Sequence, residues 1–578
     1  MTHITIIEIA ALLIAALLLM KPLGSYMACV YERKPCKMER LFGPVEKWCY
    51  RLAGINPGCE MTWKQYLLAL LIFNFLGMIF LFVVLCMQGS LPLNPEHFKS
   101  LNGDLAINTA VSFVTNTNWK AYAGETTLSY FSDMLGITVQ NFLSAATGLT
   151  VVVVLIRGFI RRETNLIGNF WVDLVRSVLY VLLPLAVIVA LILMSQGVIQ
   201  NLKPYVITHV LNAGHYGMAT QTLPMGPVAS QIAITTLGSN GGGFFNVGLA
   251  HPFANPTPFS NFIEMLAMVL IPVALTYTFG KMVRDTRQGF AIILAMLIVF
   301  VPMTLLLNYS EQLGNPVMQS LDVDSNVVPD LMPGGNMQGK ELRFGITGSS
   351  LSAATATATS AGAPNLSLDA LTPISGLVSM FLMQTGEVIF GGVGSGLYGM
   401  LILVMITVFL AGLMVGRTPE YLGKKIEVFE IKMAAVVILL MPILVLLGSA
   451  AAVLTQSAVQ AMGNPGAHGF SEILYAFTSL ANNNGSGFQG LNANIPFINI
   501  VGALIMLVGR FGVMIPILAI AGSLAAKKNT PVSPGTLPTY SGLFIALLVV
   551  VIVMIAGLTF IPALALGPIV EQLQMYHL

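Results

Sequence analysis

Four short clusters rich in Asn, Ser, Thr and Gly stand between long apolar segments of this 578-residue chain. They are Thr115-Asn116-Thr117-Asn118, Gly238-Ser239-Asn240-Gly241, Thr359-Ser360-Ala361-Gly362 and Asn482-Asn483-Asn484-Gly485. In a bilayer, backbone that leaves a helix is tolerated only where it lines a wet cavity or lies inside protein, because unpaired amides cost several kcal/mol each. Repeated breaks of this kind can coordinate an ion through backbone carbonyl oxygens. We therefore predict that the clusters form four strands of one ion filter.

Each cluster contributes three candidate filter residues. They are Asn116, Thr117, Asn118, Ser239, Asn240, Gly241, Ser360, Ala361, Gly362, Asn483, Asn484 and Gly485. Gly at the last position allows the unusual dihedral angles that close carbonyl packing needs, and Asn118 takes that position in the first cluster because Asn is the next most tolerant residue. The side-chain oxygens of Asn116, Ser239, Ser360 and Asn483 occupy matching positions. They could either hydrogen-bond the strands or face the ion.

A run of small and weakly polar residues precedes each cluster, over 108–114, 228–237, 344–358 and 471–480. Each run predicts a short half-helix that ends at the filter. The carboxyl end of a helix carries about half a negative charge, so four such ends aimed at one point favour a cation and oppose an anion.

The composition indicates the elements that must hold these strands. Hydrophobic residues make up 56% of the chain, charged residues only 9%, and the mean hydropathy is +0.81. These values predict an all-α polytopic membrane protein and exclude a soluble one. Apolar stretches of the roughly 20 residues that a span requires occur near 4–22, 63–88, 131–156, 174–198, 261–281, 289–308, 372–416, 431–455, 495–525 and 539–562.

Lys and Arg concentrate in every second connection, in groups at 33–51, 157–162, 281–287, 417–425 and 527–528. Basic loops stay in the cytoplasm, so both termini and the four clusters are expected on the outer side. Because the basic residues are spread among loops, no nucleic acid is expected as a partner. The first span lacks a basic leading region and a cleavage site, so we expect a retained helix.

The expected organisation repeats one unit of helix, pore loop and helix. A leading helix (1–30), a cytoplasmic basic loop (31–62) and a trailing helix (539–578) frame the repeats. The four repeats cover 63–162, 173–288, 289–428 and 429–528, the third with a broken second helix. The alternative is a generic polytopic protein with turn-rich outer loops, since Asn-Gly pairs are ordinary turn formers.

The stretch 372–416 is about twice as long as a bilayer requires and contains Glu387 beside a glycine-rich run that includes Gly392, Gly394 and Gly396. A helix broken below the filter accounts for both features, and the loop at the break would act as a gate. The alternative is two ordinary spans joined by a tight turn, which would invert the topology of everything that follows.

Arg510 is the only charge in 495–525. An unpaired Arg at the centre of a span costs about 2.5–3.5 kcal/mol, so it needs a partner or water. Glu387 is the natural candidate. Arg510 would also space the permeating cations, unless the pair is purely structural.

Two apparent nucleotide motifs lack the context that they require. The run Gly394-x-Gly396-x-x-Gly399 follows no strand, and the segment 334–340 is followed by Glu341, where a phosphate-binding loop needs Ser or Thr. We therefore expect no nucleotide site. The five Cys and seven His residues show no metal-ligand spacing, so a metal-dependent enzyme within the membrane has little support.

Five runs together resemble one family over essentially the whole chain. They are Val114-Thr-Asn-Thr-Asn-Trp119, Gly241-Gly-Gly-Phe-Phe-Asn246, Gly386-Glu-Val-Ile-Phe-Gly-Gly-Val-Gly-Ser-Gly-Leu-Tyr-Gly399, Gly416-Arg-Thr-Pro-Glu-Tyr-Leu-Gly-Lys-Lys425 and Ala481-Asn-Asn-Asn-Gly485. They are similar to the potassium-binding A subunit of the bacterial Kdp potassium-importing ATPase. The resemblance implies the fold of the superfamily of potassium transporters, with pseudo-fourfold repeats in one chain of the bacterial inner membrane, and K+ as the bound substrate.

The same resemblance implies a complex with a P-type ATPase B subunit, a C subunit and a small F subunit. ATP would be hydrolysed on the B subunit, which agrees with the absence of an Asp-Lys-Thr-Gly phosphorylation motif from this sequence. This chain would then contain no catalytic site, and ions would pass sideways through a tunnel into the partner. Glu387 and Arg510 match charged positions near the family's gate, and Arg417 opens a stretch that would contact the pump.

The chain departs from the family pattern at the filter, with Lys120 in place of Gln and Ser239 in place of Thr. A pore-facing Lys120 would repel potassium and weaken its binding, whereas one that points elsewhere would have little effect. The alternative function is a stand-alone potassium channel or gradient-driven carrier of the Trk and Ktr type. Obligate partnership with an ATPase would discriminate between the two.

Overall fold

A computed structural model describes residues 3–35, 38–211, 219–321, 334–416, 418–530 and 537–577. Arg417, which the sequence predicts to contact a partner, lies outside the described residues. Within them, helices dominate, and the protein is an all-α polytopic membrane protein.

Ten helical segments of the described chain are long and apolar enough to cross a membrane. They are α1 (His3–Tyr31), α3 (Trp63–Met87), α5 (Val139–Ile160), the continuous pair α6 (Phe170–Arg176) and α7 (Leu183–Ser195), α9 (Pro258–Met282), α10 (Thr286–Leu313), α13 (Ser395–Val415), α14 (Val428–Val453), α16 (Pro496–Ala526) and α17 (Gly542–Leu564). The shorter helices of at least eight residues are α2 (Glu39–Leu52), α4 (Gly103–Val114), α8 (Val228–Leu237), α11 (Gly345–Ala358), α12 (Pro373–Gln384), α15 (Gly466–Asn482) and α18 (Val570–His577). Single π-helical turns precede α5, join α6 to α7 and join α17 to α18.

The spans differ in how much of their apolar surface the protein itself covers. The most apolar window of the α5 span is 89% buried and that of α9 is 78% buried, whereas those of α1 and α3 are each 22% buried. The α5 and α9 helices therefore lie at the centre of the molecule. The α1 and α3 helices present apolar side chains outward, where lipid acyl chains replace water as their solvent.

One order of elements occurs four times along the chain: a span, a buried half-helix and a second span. The half-helices are α4, α8, α11 and α15, and the flanking spans are α3 and α5, α6–α7 and α9, α10 and α12–α13, and α14 and α16. The half-helices have 10 to 17 residues, so at about 1.5 Å per residue none could span a bilayer core of about 30 Å. Each enters the protein and ends inside it.

The stretch expected as one long span is interrupted. The α12 helix ends at Gln384, α13 begins at Ser395, and the intervening residues form a loop. With 12 residues, α12 is about 18 Å long and cannot cross a bilayer alone. The alternative of two complete spans joined by a tight turn is therefore wrong.

Three short antiparallel ribbons complete the described fold. They pair β1 (Met61–Thr62) with β2 (Leu166–Gly168), β3 (Val206–His209) with β4 (Thr220–Leu223), and β5 (Glu420–Tyr421) with β6 (Lys424–Lys425). Lys424 of the last ribbon is fully buried, and its Nζ donates to the carbonyl oxygens of Arg161 at 2.6 Å and Lys527 at 2.8 Å. Those two residues directly follow α5 and α16. Because helix carboxyl ends attract cations, this lysine fastens two central spans together.

Candidate ion filter

The four predicted filter strands share one unusual backbone conformation. Asn116, Ser239, Ser360 and Asn483 have φ angles of 69°, 48°, 59° and 59°. Left-handed backbone is uncommon for residues other than glycine, and here it occurs at the second position of every cluster. The four clusters therefore adopt equivalent turns, as their alignment in the sequence predicts.

Two positions further on, three of the four strands are left-handed again. Asn118, Gly362 and Gly485 have φ angles of 54°, 48° and 92°, but Gly241 does not lie in the left-handed region. The expectation of unusual dihedral angles is thus correct for three strands and wrong for Gly241. That position requires glycine for space instead.

The strands approach one another so closely that side chains would not fit between them. A Cβ atom built on Gly241 would overlap the carbonyl oxygens of Thr117 and Asn484 and would lie 2.7 Å from Gly485 Cα. One built on Gly362 would overlap the Asn484 oxygen and lie 2.7 Å from Gly241 Cα. The structure thus brings strands from all four repeats to one point, with carbonyl oxygens among the converging atoms.

Backbone amides of the strands turn back onto their own half-helices. The amides of Thr117 and Asn118 both donate to Ser112 O, at 3.0 and 3.1 Å. Those of Ala361 and Gly362 share Ala356 O at 3.2 Å each. The fourth strand repeats this pattern, with the Asn484 amide 2.9 Å from Ser479 O. Since these N–H groups are paired away from the convergence point, the carbonyl oxygens are the groups that remain available to a cation.

Side chains at the matching positions tie the strands together. Asn116 Nδ2 donates to Ser239 O at 2.8 Å, and Ser360 Oγ donates to Asn483 O at 2.9 Å. Asn483 Nδ2 donates to Thr117 Oγ1 at 2.9 Å. These bonds link the first strand to the second, the third to the fourth and the fourth to the first. Of the two alternatives for the four matching side chains, three follow bonding between strands, whereas Ser239 Oγ donates to Met268 O on α9 at 3.5 Å. These contacts leave the backbone oxygens as candidate ion ligands.

Polar residues of the central span α5 hydrogen-bond to side chains of the first strand. On α5, Ser144 Oγ donates to Asn116 Oδ1 at 2.8 Å, and Asn141 Oδ1 accepts from Asn118 Nδ2 at 2.7 Å. The sequence analysis missed both α5 residues. Their signal was the unusual polarity of the segment 140–147 within an apolar span, because polar residues in a membrane are costly and face the protein interior.

The carboxyl ends of the four half-helices lie at the convergence point of the strands. The α4, α8 and α11 helices end one residue before their clusters, and α15 ends at the first residue of its own. All four are buried over most of their lengths. In this poorly solvated position four partial negative charges act together, and they favour a cation.

A cavity of about 600 Å³ lies on one side of the filter. Asn118, Gly241, Gly362 and Gly485, the last residue of each cluster, all line it. All four strands therefore end at this one cavity, which we call the outer vestibule.

Lys120 lies at the wall of the outer vestibule, and its charge is engaged there. Its Nζ donates to the carbonyl oxygens of Gly243 and Phe245 at 2.7 Å each. Burial lowers the pKa of Lys120 to about 8, although Glu125 and Asp133 act in the opposite direction. Lys120 thus braces the chain that follows the second strand instead of pointing along the pore axis.

His251 also lines the outer vestibule, and it adds no charge. Burial, with a smaller contribution from Arg343, lowers the pKa of His251 to about 4. Its ring stacks on Phe245 with 3.6 Å between centroids. This histidine is therefore a neutral packing residue at neutral pH.

The loop between α12 and α13 lies against two of the filter strands. The amide of Gly391 donates to Ala358 O, the last residue of α11, at 3.0 Å, and Glu387 Oε1 accepts from Asn484 Nδ2 at 3.0 Å. A Cβ on Gly392 would lie 3.2 Å from Ser360 Cβ. The predicted gate residue Glu387 is thus placed directly against the filter.

Glycines fold the same loop tightly onto itself and onto α5. A Cβ on Gly394 would overlap Gly148 O, and one on Gly396 would overlap Phe390 O and lie 2.7 Å from Gly391 Cα. Gly394 also has a φ of 87°. Larger residues at these positions would push the loop away from the filter.

Arg510 does not form the predicted ion pair with Glu387. In the described structure its Nη2 donates to Ser144 O at 3.2 Å, and no carboxylate lies within 4.0 Å of its guanidinium. The reason is the packing of α16 on α5, where Gly148 leaves room for the guanidinium. The two charges instead share one cavity.

Whereas the outer vestibule is lined by Gly485, at the end of the fourth strand, that second cavity is lined by Asn482 and Asn483, at the start of the strand. Glu387, Tyr398, Asn483 and Arg510 line it, together with side chains of α14 and α17. Since α14 and α17 are outer helices with many exposed apolar residues, part of the cavity wall is formed by the periphery of the helix bundle. We call it the lateral cavity.

Comparisons with known proteins cover nearly the whole chain. A family model described as "Potassium-transporting ATPase A subunit" matches residues 10–573. A relative from Sorangium cellulosum is 55% identical, covering 98% of both chains. One from Herpetosiphon aurantiacus is 56% identical over 98% of this chain and 99% of its own, and one from Methylococcus capsulatus is 53% identical over 100% and 99%. Each is named a potassium-transporting ATPase potassium-binding subunit.

Proposed function

Because the chain belongs to the family of potassium-transporting ATPase A subunits, we propose that its four converging strands bind K+ and that it delivers the ion to a separate ATP-hydrolysing subunit. The observation that carries the proposal is the convergence itself, with left-handed turns at four matched positions directly after four half-helices. This is the arrangement that replaces a cation's hydration shell by carbonyl oxygens.

The filter selects its ion by holding the carbonyl oxygens at a set separation. The carboxyl ends of the half-helices supply negative potential, and the strand amides donate to carbonyl oxygens of their own half-helices, away from the convergence point. The bonds from Asn116, Ser360 and Asn483 to neighbouring strands resist collapse around a smaller ion. The oxygens are thus ordered before the ion binds, and this preorganisation is the requirement for selective binding.

The loop between α12 and α13 acts as the gate in this proposal. It lies against the third and fourth strands through Gly391 and Glu387. Its residues Gly392, Gly394 and Gly396 permit close approach to the filter and to α5. An ion that leaves the filter meets Glu387 and Arg510 in the lateral cavity, where the carboxylate attracts it and the guanidinium prevents its retention.

Movement of the ion through the lateral cavity, between α14 and α17, would carry it toward a neighbouring subunit. The partners in this proposal are a P-type ATPase B subunit, a C subunit and a small F subunit in the bacterial inner membrane. Both termini lie outside the cytoplasm, in keeping with the basic loops at every second connection. Arg417 belongs to one of those cytoplasmic loops and is proposed to contact the ATPase.

The test is ATP hydrolysis by the intact complex. The tagged chain is purified in mild detergent with its bound proteins, and hydrolysis is measured with K+ and then with Na+. We expect K+ to stimulate hydrolysis and Na+ to do so poorly. The Gly241→Ala variant should need more K+ for the same rate, and the Gly243→Ala variant should not.

Two outcomes would contradict the proposal. One is hydrolysis that K+ does not change in a complex whose transport is intact. The other is rapid K+ flux through the chain alone in liposomes with no ATPase bound to it, which would support a stand-alone channel or carrier of the Trk and Ktr type.

A further inference from the structure

A cluster of three carboxylates and one histidine lies beside the outer vestibule, away from the filter. Asp369 follows the third filter strand, His468 and Glu472 lie on α15, and Glu571 lies on α18. One ligand atom from each of Asp369, His468 and Glu472 falls within 4.8 Å of the others. Leu368, the neighbour of Asp369, lines the vestibule, so the cluster is on the vestibule side of the protein.

The carboxylates of this cluster have few cationic partners within the described structure. Glu472 is fully buried and accepts only neutral donors, the Gly463 amide at 3.0 Å and Asn464 Nδ2 at 2.7 Å. The cationic groups found within 4.0 Å of Asp369 and Glu571 are the ring nitrogens of His468. Carboxylates that lie this close together in proteins are generally paired or bound to a metal, and a cation bound among these oxygens would supply such a partner.

The histidine is oriented as a metal ligand would be. Its Nε2 lies 3.1 Å from Asp369 Oδ1. For an ion about 2.1 Å from both atoms, the usual bond length of zinc to nitrogen and oxygen, the angle between the bonds to nitrogen and oxygen would be about 95°. On the opposite side of the ring, Nδ1 lies 2.6 Å from Glu571 Oε1. Such a carboxylate on the second nitrogen is the support that metal-binding histidines have in most proteins.

Packing holds the ligands where they are without any ion. The His468 ring stacks on Phe488 at 5.7 Å between centroids with an 18° angle between planes. The Asp369 amide donates to Gln489 Oε1 at 3.1 Å. His468 and Glu472 are four residues apart on one helix, so they share a face. Ligands that are already held in place need little rearrangement to bind an ion.

We propose that Asp369, His468 and Glu472 bind one divalent transition-metal ion, with Glu571 holding the imidazole. One nitrogen and two carboxylate oxygens suit Zn²⁺, and Co²⁺ is expected to bind more tightly than Mn²⁺ by the Irving–Williams order. Mg²⁺ prefers oxygen ligands and retains its waters, so it binds poorly here. The ion joins α15, which carries the fourth filter strand, to the loop after the third strand and to α18.

The experiment measures metal binding to the full chain in detergent, within its complex where one co-purifies. Zn²⁺ is titrated calorimetrically, and Co²⁺ is followed by its visible absorption. We expect one saturable site per chain for each metal, no site for Mg²⁺, and a higher melting temperature with Zn²⁺. The variants His468→Gln and Asp369→Asn should each weaken Zn²⁺ binding at least tenfold and abolish the thermal shift.

Exposed histidines elsewhere provide the matched controls, because His97→Gln and His209→Gln remove a histidine far from the cluster and should leave binding unchanged. If His468→Gln folds poorly, Asp369→Asn tests the same site with the imidazole in place. The proposal is overturned if no saturable Zn²⁺ site exists, or if binding survives Asp369→Asn and His468→Gln undiminished. The cluster would then be an ion pair only.

Discussion

Three consecutive glycines, Gly241 at the end of the second filter strand and the two residues that follow it, allow the space available at the filter to be tested in three steps. A Cβ on Gly241 would overlap Thr117 O and Asn484 O, one on Gly242 would lie 2.9 Å from Asn118 O, and one on Gly243 would meet nothing within 4 Å. None of the three has left-handed backbone. Alanine at each position therefore changes the available space and adds no backbone strain.

The expected effect on K+ binding follows the severity of these contacts. Overpacking a closely packed site costs about 1–3 kcal/mol, and each 1.4 kcal/mol is about tenfold in affinity. We expect Gly241→Ala to weaken K+ binding by about 5- to 150-fold and to reduce the preference over Na+, because the displaced carbonyl oxygens no longer match the larger ion. Gly242→Ala should fall below that range, and Gly243→Ala should match the wild type.

The assay is K+-dependent ATP hydrolysis or uptake by the purified complex over a range of K+ concentrations, repeated with Na+. Tryptophan fluorescence melting of each variant verifies that the fold is intact. Equal losses in all three variants would show that the effect comes from general destabilisation. Normal affinity and selectivity in Gly241→Ala would refute the assignment of this strand to the filter.

Three further predictions concern residues around the filter and the ribbon formed by β5 and β6. Because Lys120 Nζ is bound to the Gly243 and Phe245 carbonyl oxygens, the loss of its charge as pH rises from 7 to 9, past its lowered pKa of about 8, should change K+ binding little, so the half-saturating K+ concentration of the wild type should follow that of Lys120→Gln over this range; a fall confined to the wild type would show that the Lys120 charge acts on the ion. Asn116→Gly suits the φ of 69° at this position and adds no charge, but it removes the amide that donates to Ser239 O and leaves a buried acceptor unpaired at roughly 1–3 kcal/mol, so K+ affinity measured by uptake should drop about fivefold or more, and an unchanged value would show that this bond does not support the filter. Lys424→Met removes two charged hydrogen bonds, each worth roughly 1.5–3 kcal/mol, so the melting temperature should fall well below that of the exposed control Lys425→Met; equal melting temperatures would contradict the fastening role.

Local features of the sequence predicted much of the fold. Apolar length located the ten spans, because a bilayer imposes one length on every crossing element. The long stretch with a glycine-rich centre indicated the break between Gln384 and Ser395. The clusters indicated the filter strands, because Asn, Ser and Gly tolerate left-handed backbone and most other residues do not.

Contacts between distant parts of the chain could not be obtained in this way. The sequence analysis paired Arg510 with Glu387 as the nearest opposite charges at similar depth, yet the guanidinium donates to Ser144 O in the packing between α16 and α5. Lys120 raised a concern for K+ affinity, yet its Nζ is bound to Gly243 and Phe245 carbonyls. In both cases the partner is a backbone oxygen, which every residue has and no sequence pattern marks.

The sequence by itself determined that this protein lies in a membrane, that it is helical, and how many spans it has. It also determined the four sites where the backbone leaves a helix and the family to which the chain belongs. These properties depend on composition and on neighbouring residues. Only the tertiary structure decided three further features. Gly241 is required for space and not for its dihedral angles, and Asn116, Ser360 and Asn483 bond to other strands. An acidic cluster also surrounds His468. The physical reason is that each of these depends on atoms more than 90 residues apart in the chain, brought together by the packing of helices that carry no local signal of their partners.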